Sequence, residues 1–232
     1  HPDAAAAEAR LSTGRERHFV RESLAASHVA DGQATVASDF RIHEDGMARF
    51  AILAQPSLGP RRLGRLVQRV LEIETYRAMS MLALPLARHA IRRLTEVDRD
   101  LASLVRGIAE DNETARATLD RLTVKSAEIE RMATDTAFRF AAADAYETIL
   151  HERIAILREQ RLGGRQTIAE FMARRYDPAM RTCRAAQARI HELSTRAARI
   201  ADLLRTRVDV AMSAQNQKVL ESMDRRADLQ LR

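Results

Sequence analysis

Seven histidines are the first residues of this 232-residue chain whose chemistry could serve a metal or a reaction. They are His1, His18, His28, His43, His89, His151 and His191. Three of them, His43, His151 and His191, are followed by Glu, but none has a second histidine four residues further on, as a zinc-binding H-E-x-x-H helix requires. We expect His151 and His191 to lie on solvated helix faces, and the sequence assigns no metal ligand.

The cysteine and the acidic pair give no catalytic arrangement. Cys183 falls on an apolar seam, which predicts a buried structural thiol. Glu72 and Glu74 are two residues apart, so they do not face each other on a helix, whereas Glu72 shares a face with Arg69 and predicts an ion pair. Phosphate-binding glycine loops and the G-x-S-x-G motif are both absent from the sequence. We predict no enzyme, no cofactor and no small-molecule substrate.

The composition favours long helices over a compact enzyme fold. The chain is 46% hydrophobic and 30% charged, with 8 Gly, 5 Pro and no Trp. Such values argue against an all-β or α/β enzyme. A single cysteine excludes an internal disulfide framework and fits a reducing compartment. The most apolar run, Ala78–Ala87, is half of the about 20 residues that a bilayer-spanning helix needs.

The N-terminal quarter predicts a lead-in and a hairpin. Residues 1–30 have little hydrophobic period and predict a loosely packed lead-in. Residues 31–58 contain two β-prone runs, QATVASDFRI and MARFAILA, around the turn sequence HEDG, where Gly46 can take a positive φ. The predicted buried residues are Val36, Phe40, Phe50 and Ile52. Because two strands alone are marginal in water, we expect the hairpin to lie against a helix or to edge a larger sheet with strands from a preceding segment.

Residues 59–177 predict an antiparallel helical bundle. Pro85 should break the first helix near Leu82–Leu84. A long helix is predicted over residues 115–161, ended by Gly163 and Gly164, and a short helix over 166–175 follows.

The last helix is predicted over residues 179–232, within a stem segment of residues 178–232. Its seam is Cys183, Ala186, Ile190, Leu193, Ala197, Ile200 and Leu204. The seam then slips by four residues through Val208 and Met212 to Gln215, Val219 and Met223, a stutter that locally unwinds a supercoil. Helices of this length occur in coiled coils and membrane-protein stems. The predicted fold is mainly α, with a small N-terminal β-hairpin, long antiparallel helices and a very long C-terminal stem helix.

The basic charge raises a nucleic-acid hypothesis. The net charge is +6, and nine arginines lie between Arg174 and Arg207 against three acidic residues. A basic stripe of this kind can bind phosphates. The sequence lacks an aromatic stacking platform and a base-reading motif, and the arginines alternate with Ala, Leu and Glu as on an ordinary solvated face. These features argue against a nucleic-acid partner.

Four stretches carry a resemblance to a known family. They are SDFRIHEDGMARFAIL, QRVLEIETYRAMSMLALPLAR, FMARRYDPAMRTC and LLRTRVDVAMSAQNQKVLESMDRRADLQLR. In this order, spread over residues 31–232, they resemble a bacterial family of uncharacterised membrane-anchored proteins, a domain of unknown function. The resemblance implies that the last helix continues beyond Arg232 into two hydrophobic segments. It also implies that this region lies at the cytoplasmic face of the inner membrane.

A second likeness concerns architecture. A small sheet-containing part, antiparallel helices and one stem helix are similar to the plan of CorA-type magnesium channels. Three hypotheses follow. The first is a non-enzymatic, membrane-anchored helical protein that self-associates as a homo-oligomer or scaffold. The second is a regulatory domain of a CorA-like cation channel, and the third is a soluble helical scaffold or nucleic-acid binder. The second would bring Mg²⁺ to acidic residues that line or gate an axis, such as Asp202, Asp209, Glu221 and Asp224.

Overall fold

The computed structural model describes residues 18–109 and 115–230 and shows a small sheet and long helices. The strands are β1 (Ala25–Val29), β2 (Ala34–Ile42), β3 (Ala48–Ala54) and β4 (Gln160–Arg161). The helices are α1 (Pro60–Met81), α2 (Ala83–Ala109), α3 (Ala115–Leu157), α4 (Ile168–Arg175) and α5 (Asp177–Gln230). Short 3-10 turns occur at Arg21–Ser23 and Pro56–Leu58. The predicted mainly α fold, with a small N-terminal sheet and a very long last helix, is confirmed.

The predicted hairpin is formed by β2 and β3. The strands are antiparallel, with Val36 opposite Ile52, and Gly46 in the turn has the expected positive φ of 77°. Val36 and Phe40 are buried, as predicted. Phe50 and Ile52 are only half-buried, because β3 is an edge strand of the sheet.

A strand that the sequence interpretation missed lies beside this hairpin. The sheet order is β3-β2-β1-β4, and β1 falls within the segment expected to be a loosely packed lead-in. That expectation is wrong from residue 24 onward, because Leu24, Ala26 and Val29 are at most 5% exposed. Alanine and serine fill a close-packed interior without producing an alternating apolar pattern, so the period gave no signal. Residues 1–17 lie outside the described part.

The fourth strand comes from far along the chain. β4 pairs antiparallel with Ser27 and His28 of β1. Helix α3, predicted to reach Arg161, therefore ends at Leu157, and Arg158 takes a left-handed φ of 48° as the chain turns towards the sheet. The two additional strands of the described sheet, β1 and β4, both belong to this chain.

The helix boundaries follow the predicted breakers. α1 ends at Met81, only Leu82 separates it from α2, and Pro85 falls in the first turn of α2, where its missing N–H costs no helical hydrogen bond. Helix α4 begins with a capping box, in which the Thr167 hydroxyl accepts from the Glu170 N–H and the Glu170 carboxylate accepts from the Thr167 N–H.

The chain divides into two compact units that differ from the four predicted segments. The first combines the described residues up to Pro85 with Arg139–Arg184, and the second combines Leu86–Phe138 with the chain from Ala185 onward. Helices α3 and α5 each contribute to both units, because the boundaries between the units fall within them.

The first unit packs its sheet and α4 with α1 and the second half of α3. The Arg153 Nε donates to the Glu72 Oε2 at 2.6 Å, and the Tyr76 and Tyr146 rings lie 5.8 Å apart, so α1 and α3 run antiparallel. The ring of Phe171 on α4 stacks on Phe40 of the sheet at 4.8 Å.

The second unit contains most of α2, the first half of α3 and the longer part of α5. Lys125 Nζ lies 2.7 Å from Asp100 Oδ2, and Arg93 bonds to Glu128, an order that makes α2 and α3 antiparallel, as predicted. The Asp98 carboxylate on α2 accepts from both Arg189 and Arg196 on α5. Ion pairs therefore link α2 to both other helices of this unit.

Candidate interaction surface

The predicted seam of α5 is buried as far as Leu204. Its members are at most 7% exposed, and they are Cys183, Ala186, Ile190, Leu193, Ala197, Ile200 and Leu204. They recur at spacings of three and four residues, which place them on one side of the helix. The sequence prediction is confirmed for this half of the helix.

Beyond Leu204 the same periodicity continues without burial. We call Arg205–Met223 the distal segment; within it only Val208 is half-buried and every other residue is exposed. Three apolar members of the predicted seam stand in solvent: Met212 is 53%, Val219 is 51% and Met223 is 60% exposed. The distal segment therefore presents an apolar stripe that nothing in the described chain covers.

Charges on the distal segment are nearly balanced. Arg205, Arg207 and Lys218 are basic, and Asp209 and Glu221 are acidic. Arg205 Nη1 donates to Asp202 Oδ1 at 3.0 Å, one helical turn earlier. The segment thus offers both signs of charge around its apolar stripe and has no strong preference for a partner of one sign.

The acidic residues considered for a magnesium pathway lie separately along this helix. Asp202 is ion-paired with Arg205, and Glu221 accepts a hydrogen bond from Gln217 at 3.3 Å. Asp209 is exposed, and the side chain of Asp224 lies outside the described ones. Within one chain the described carboxylates of this set do not converge on a shared ion, so a cation role stays a prediction that depends on several copies.

Much of the basic stripe considered for nucleic acid is engaged in ion pairs. Arg184 bonds to Glu147, Arg189 bonds to Asp98 and Glu192, and Arg196 Nη1 donates to Asp98 Oδ1 at 2.6 Å. These contacts pair the three partly exposed guanidinium groups with carboxylates of the same chain. They give these three of the nine arginines a structural role.

One group of three side chains in the described ranges could share a metal ion. It contains Glu147 and His151 on α3 and Asp177 at the start of α5, with candidate ligand atoms within 4.8 Å of one another. His151 Nε2 lies 3.3 Å from Asp177 Oδ1, and Glu147 already accepts from Arg184. Glu147 is thus engaged by Arg184, whereas Asp177 Oδ1 is buried without a hydrogen-bond partner among the described residues. The sequence analysis did not identify this group, because Asp177 comes much later in the chain than Glu147 and His151.

The cysteine and the two glutamates considered for catalysis are buried or engaged in contacts within the protein. Cys183 is buried, as predicted. The Gln68 amide, followed by Arg153, lowers the pKa of the Glu72 carboxyl. Glu72 forms its ion pair with Arg153 instead of the predicted Arg69. Glu74 accepts two bonds from Arg77, at 2.7 and 2.8 Å.

Three further observations concern the membrane and the relatives of this chain. Among the described residues, none of the helices is both long enough and apolar enough to cross a bilayer. No curated protein and no solved structure matches this chain. A family model described as a protein of unknown function (DUF3422) matches residues 3–232, nearly the whole length. The chain therefore belongs to the DUF3422 family.

Proposed function

We propose that this chain is a non-catalytic helical region that self-associates through the distal segment of α5, within a membrane-anchored protein. Self-association would make it a homo-oligomeric scaffold. The observation that carries the proposal is the exposed apolar stripe at Met212, Val219 and Met223, which continues a seam that is buried up to Leu204.

The spacing of this stripe suits a coiled coil. Met212, Gln215, Val219 and Met223 follow one another at three and four residues, the spacing that turns one face of a helix towards a partner helix. Burying such side chains stabilises an interface by about 25 cal/mol for each Å² of apolar surface removed from water. Gln215 places one polar side chain in the stripe, and a polar seam residue typically fixes the register of two identical helices.

A second copy is the partner that the charges favour. With three basic and two acidic side chains, the distal segment lacks the strongly positive surface that nucleic acid requires. Two identical segments can satisfy both signs. We expect a parallel pair, because copies anchored in one membrane at the same end must point the same way.

Sedimentation equilibrium tests the self-association. The double variant Met212→Ser/Val219→Ser should shift the chain towards monomer by at least about tenfold in dissociation constant. The matched control is Leu203→Ser/Val210→Ser, which removes two apolar side chains, 70% and 64% exposed, from the opposite side of the same helix. A monomeric wild-type chain at high concentration, or equal effects of both doubles, would exclude this surface.

The membrane anchor is the second part of the proposal. It is supported by the family resemblance and by the basic residues Arg225, Arg226 and Arg232, which fit the positive-inside tendency, although Asp224 and Asp228 weaken that signal. The test is to fractionate cells that express the entire reading frame. The product should sediment with membranes and be released by detergent but not by high salt, and release by salt alone would remove the anchor from the account.

A further inference from the structure

A cleft of about 500 Å³ in the first unit is lined by four arginines. Arg62, Arg65 and Arg69 stand three and four residues apart on α1 and so share one face, and Arg158 follows the end of α3. Asp31 is the single acidic lining residue in the described chain, so the lining carries a net charge of +3.

The chain does not neutralise this charge. Across the described ranges, no hydrogen bond or ion pair engages the side chains of Arg65 and Arg158. Arg62 is held by the Gln33 Oε1, 2.7 Å from its Nη1, and lies 3.7 Å from Asp31. Guanidinium groups left in this way have donors available for an external anion.

The guanidinium group of Arg69 is also only weakly neutralised by the chain. The carboxylate nearest to it in sequence on this face is Glu72, whose Oε2 already accepts from Arg153 at 2.6 Å and whose Oε1 accepts from Gln68 at 2.8 Å. Glu72 is therefore shared, and the charge of Arg69 is only partly offset.

The backbone around the cleft is held in an uncommon conformation. Three lining residues have left-handed φ values without being glycine: Ala30 at 54°, Asp31 at 58° and Arg158 at 48°. Arg158 directly follows α3, at the position where helices usually place glycine. An L-residue is strained there, and strain of this kind persists only where the surrounding structure holds the backbone in place. At residue 158 the consequence is a guanidinium at the edge of the cleft.

The remaining lining of the cleft is apolar. Leu66 and Leu157 are buried beneath it, and Ile156 is 43% exposed. A cleft with an apolar base and several guanidinium groups suits an anion with planar or tetrahedral oxygen groups, because the arginine fork binds phosphate oxygens in pairs.

We propose that this cleft binds a small anion bearing two phosphate groups, held by Arg62, Arg65, Arg69 and Arg158. Two phosphates match the net charge and the number of guanidinium groups better than one. The chemistry is shared by a free diphosphate and by a lipid headgroup with two phosphates, and the experiment distinguishes these sources.

Calorimetric titration of the full chain with inorganic pyrophosphate is the direct test. Saturable binding should weaken about 10- to 100-fold in Arg65→Gln, which removes charged hydrogen bonds. Arg61→Gln is the matched control, because Arg61 is exposed on the same helix but does not line the cleft; its affinity should change by less than about twofold. Equal losses in the two variants would overturn the proposal, since they indicate diffuse attraction only.

Two further variants separate binding from folding. Arg158→Gly should relieve the left-handed φ and keep or raise the melting temperature while weakening pyrophosphate binding about tenfold or more. Asp31→Asn removes the acidic lining residue and tolerates the same φ, so affinity should rise. Unchanged affinity in both variants would contradict the assignment of the cleft.

The lipid source is tested by flotation with vesicles that contain cardiolipin, whose headgroup carries two phosphates. Capture by vesicles that is lost in Arg65→Gln but not in Arg61→Gln identifies a headgroup ligand. Pyrophosphate binding without such capture identifies a free diphosphate. Absence of both Arg65-dependent signals refutes the site.

Discussion

The two halves of α5 carry the same hydrophobic period and lie in opposite surroundings. Up to Leu204 every residue of the seam is buried, with no more than 7% of its surface exposed. In the distal segment Met212, Val219 and Met223 are more than half exposed. The difference shows that periodicity determines which side of a helix is apolar, whereas the presence of a partner helix determines whether that side is buried.

The largest expected contrast is in stability. Leu193 on the buried half is fully buried, so Leu193→Ala should cost about 2–5 kcal/mol through lost burial and a residual cavity. Met212→Ala should cost less than about 0.5 kcal/mol in the monomer, because Met212 is exposed. Urea unfolding at low protein concentration measures both. If the two variants unfolded at similar urea concentrations, the buried and exposed halves of α5 would not differ as described.

An alkaline titration extends the comparison to a buried polar group next to α5. Burial raises the pKa of Tyr176 to about 12, while its hydroxyl donates to Ser80 Oγ at 2.7 Å. Since the folded-state pKa lies above the unfolded value of about 10, this contribution to stability is complete below about pH 10 and is lost as the pH rises through 12.

The measurement is the melting temperature between those pH values. It should fall for the wild type more steeply than for Tyr176→Phe, which has no group to ionise. Parallel curves would show that Tyr176 is not the residue that titrates.

A partly buried and an exposed ion pair should also differ in their contribution to stability, by a smaller amount. Asp98 accepts from both Arg189 and Arg196 and is 28% exposed, so Asp98→Asn should destabilise by about 1 kcal/mol. Asp202 and Arg205 are both mostly exposed, and Asp202→Asn should have no measurable effect. Added salt should reduce the difference between the variants, which chemical denaturation can follow.

The smallest effect is expected where the capped helix α4 begins. Thr167→Ala removes one acceptor for the Glu170 N–H, a change that costs about 1 kcal/mol or less at a helix start. Thr167→Ser keeps the acceptor and is the control. Hydrogen exchange at the first turn of α4 measures the change locally, and equal protection in both variants would contradict the capping role.

The helices were predictable because their signals are local and repeated. The seam of α5, the break before Pro85 and the hairpin turn at Gly46 each depend on residues close together in sequence. β1 and β4 were missed for the opposite reason. β1 is rich in alanine and has no alternation, and β4 is only two residues long and pairs with a strand more than a hundred residues earlier.

The two proposed binding surfaces also differ in how far the sequence predicts them. The exposed stripe of the distal segment continues a visible period, so its residues were identified from sequence, although their exposure was not. The basic cleft was not identified, because it joins Arg65 on α1 to Arg158 after α3 and depends on a left-handed φ at residue 158. Neither feature leaves a motif in the sequence.

Site-specific cross-linking tests the central claim most directly. In a Cys183→Ala background, cysteine is placed singly at Met212 or Val219 on the stripe, or at Val210, which is 64% exposed on the opposite side of the helix. A parallel pair brings identical stripe positions within disulfide reach. Mild oxidation should therefore give covalent dimers for Met212→Cys and Val219→Cys and few for Val210→Cys. Equal dimer yields at all three positions, or none at the stripe, would contradict self-association through this surface.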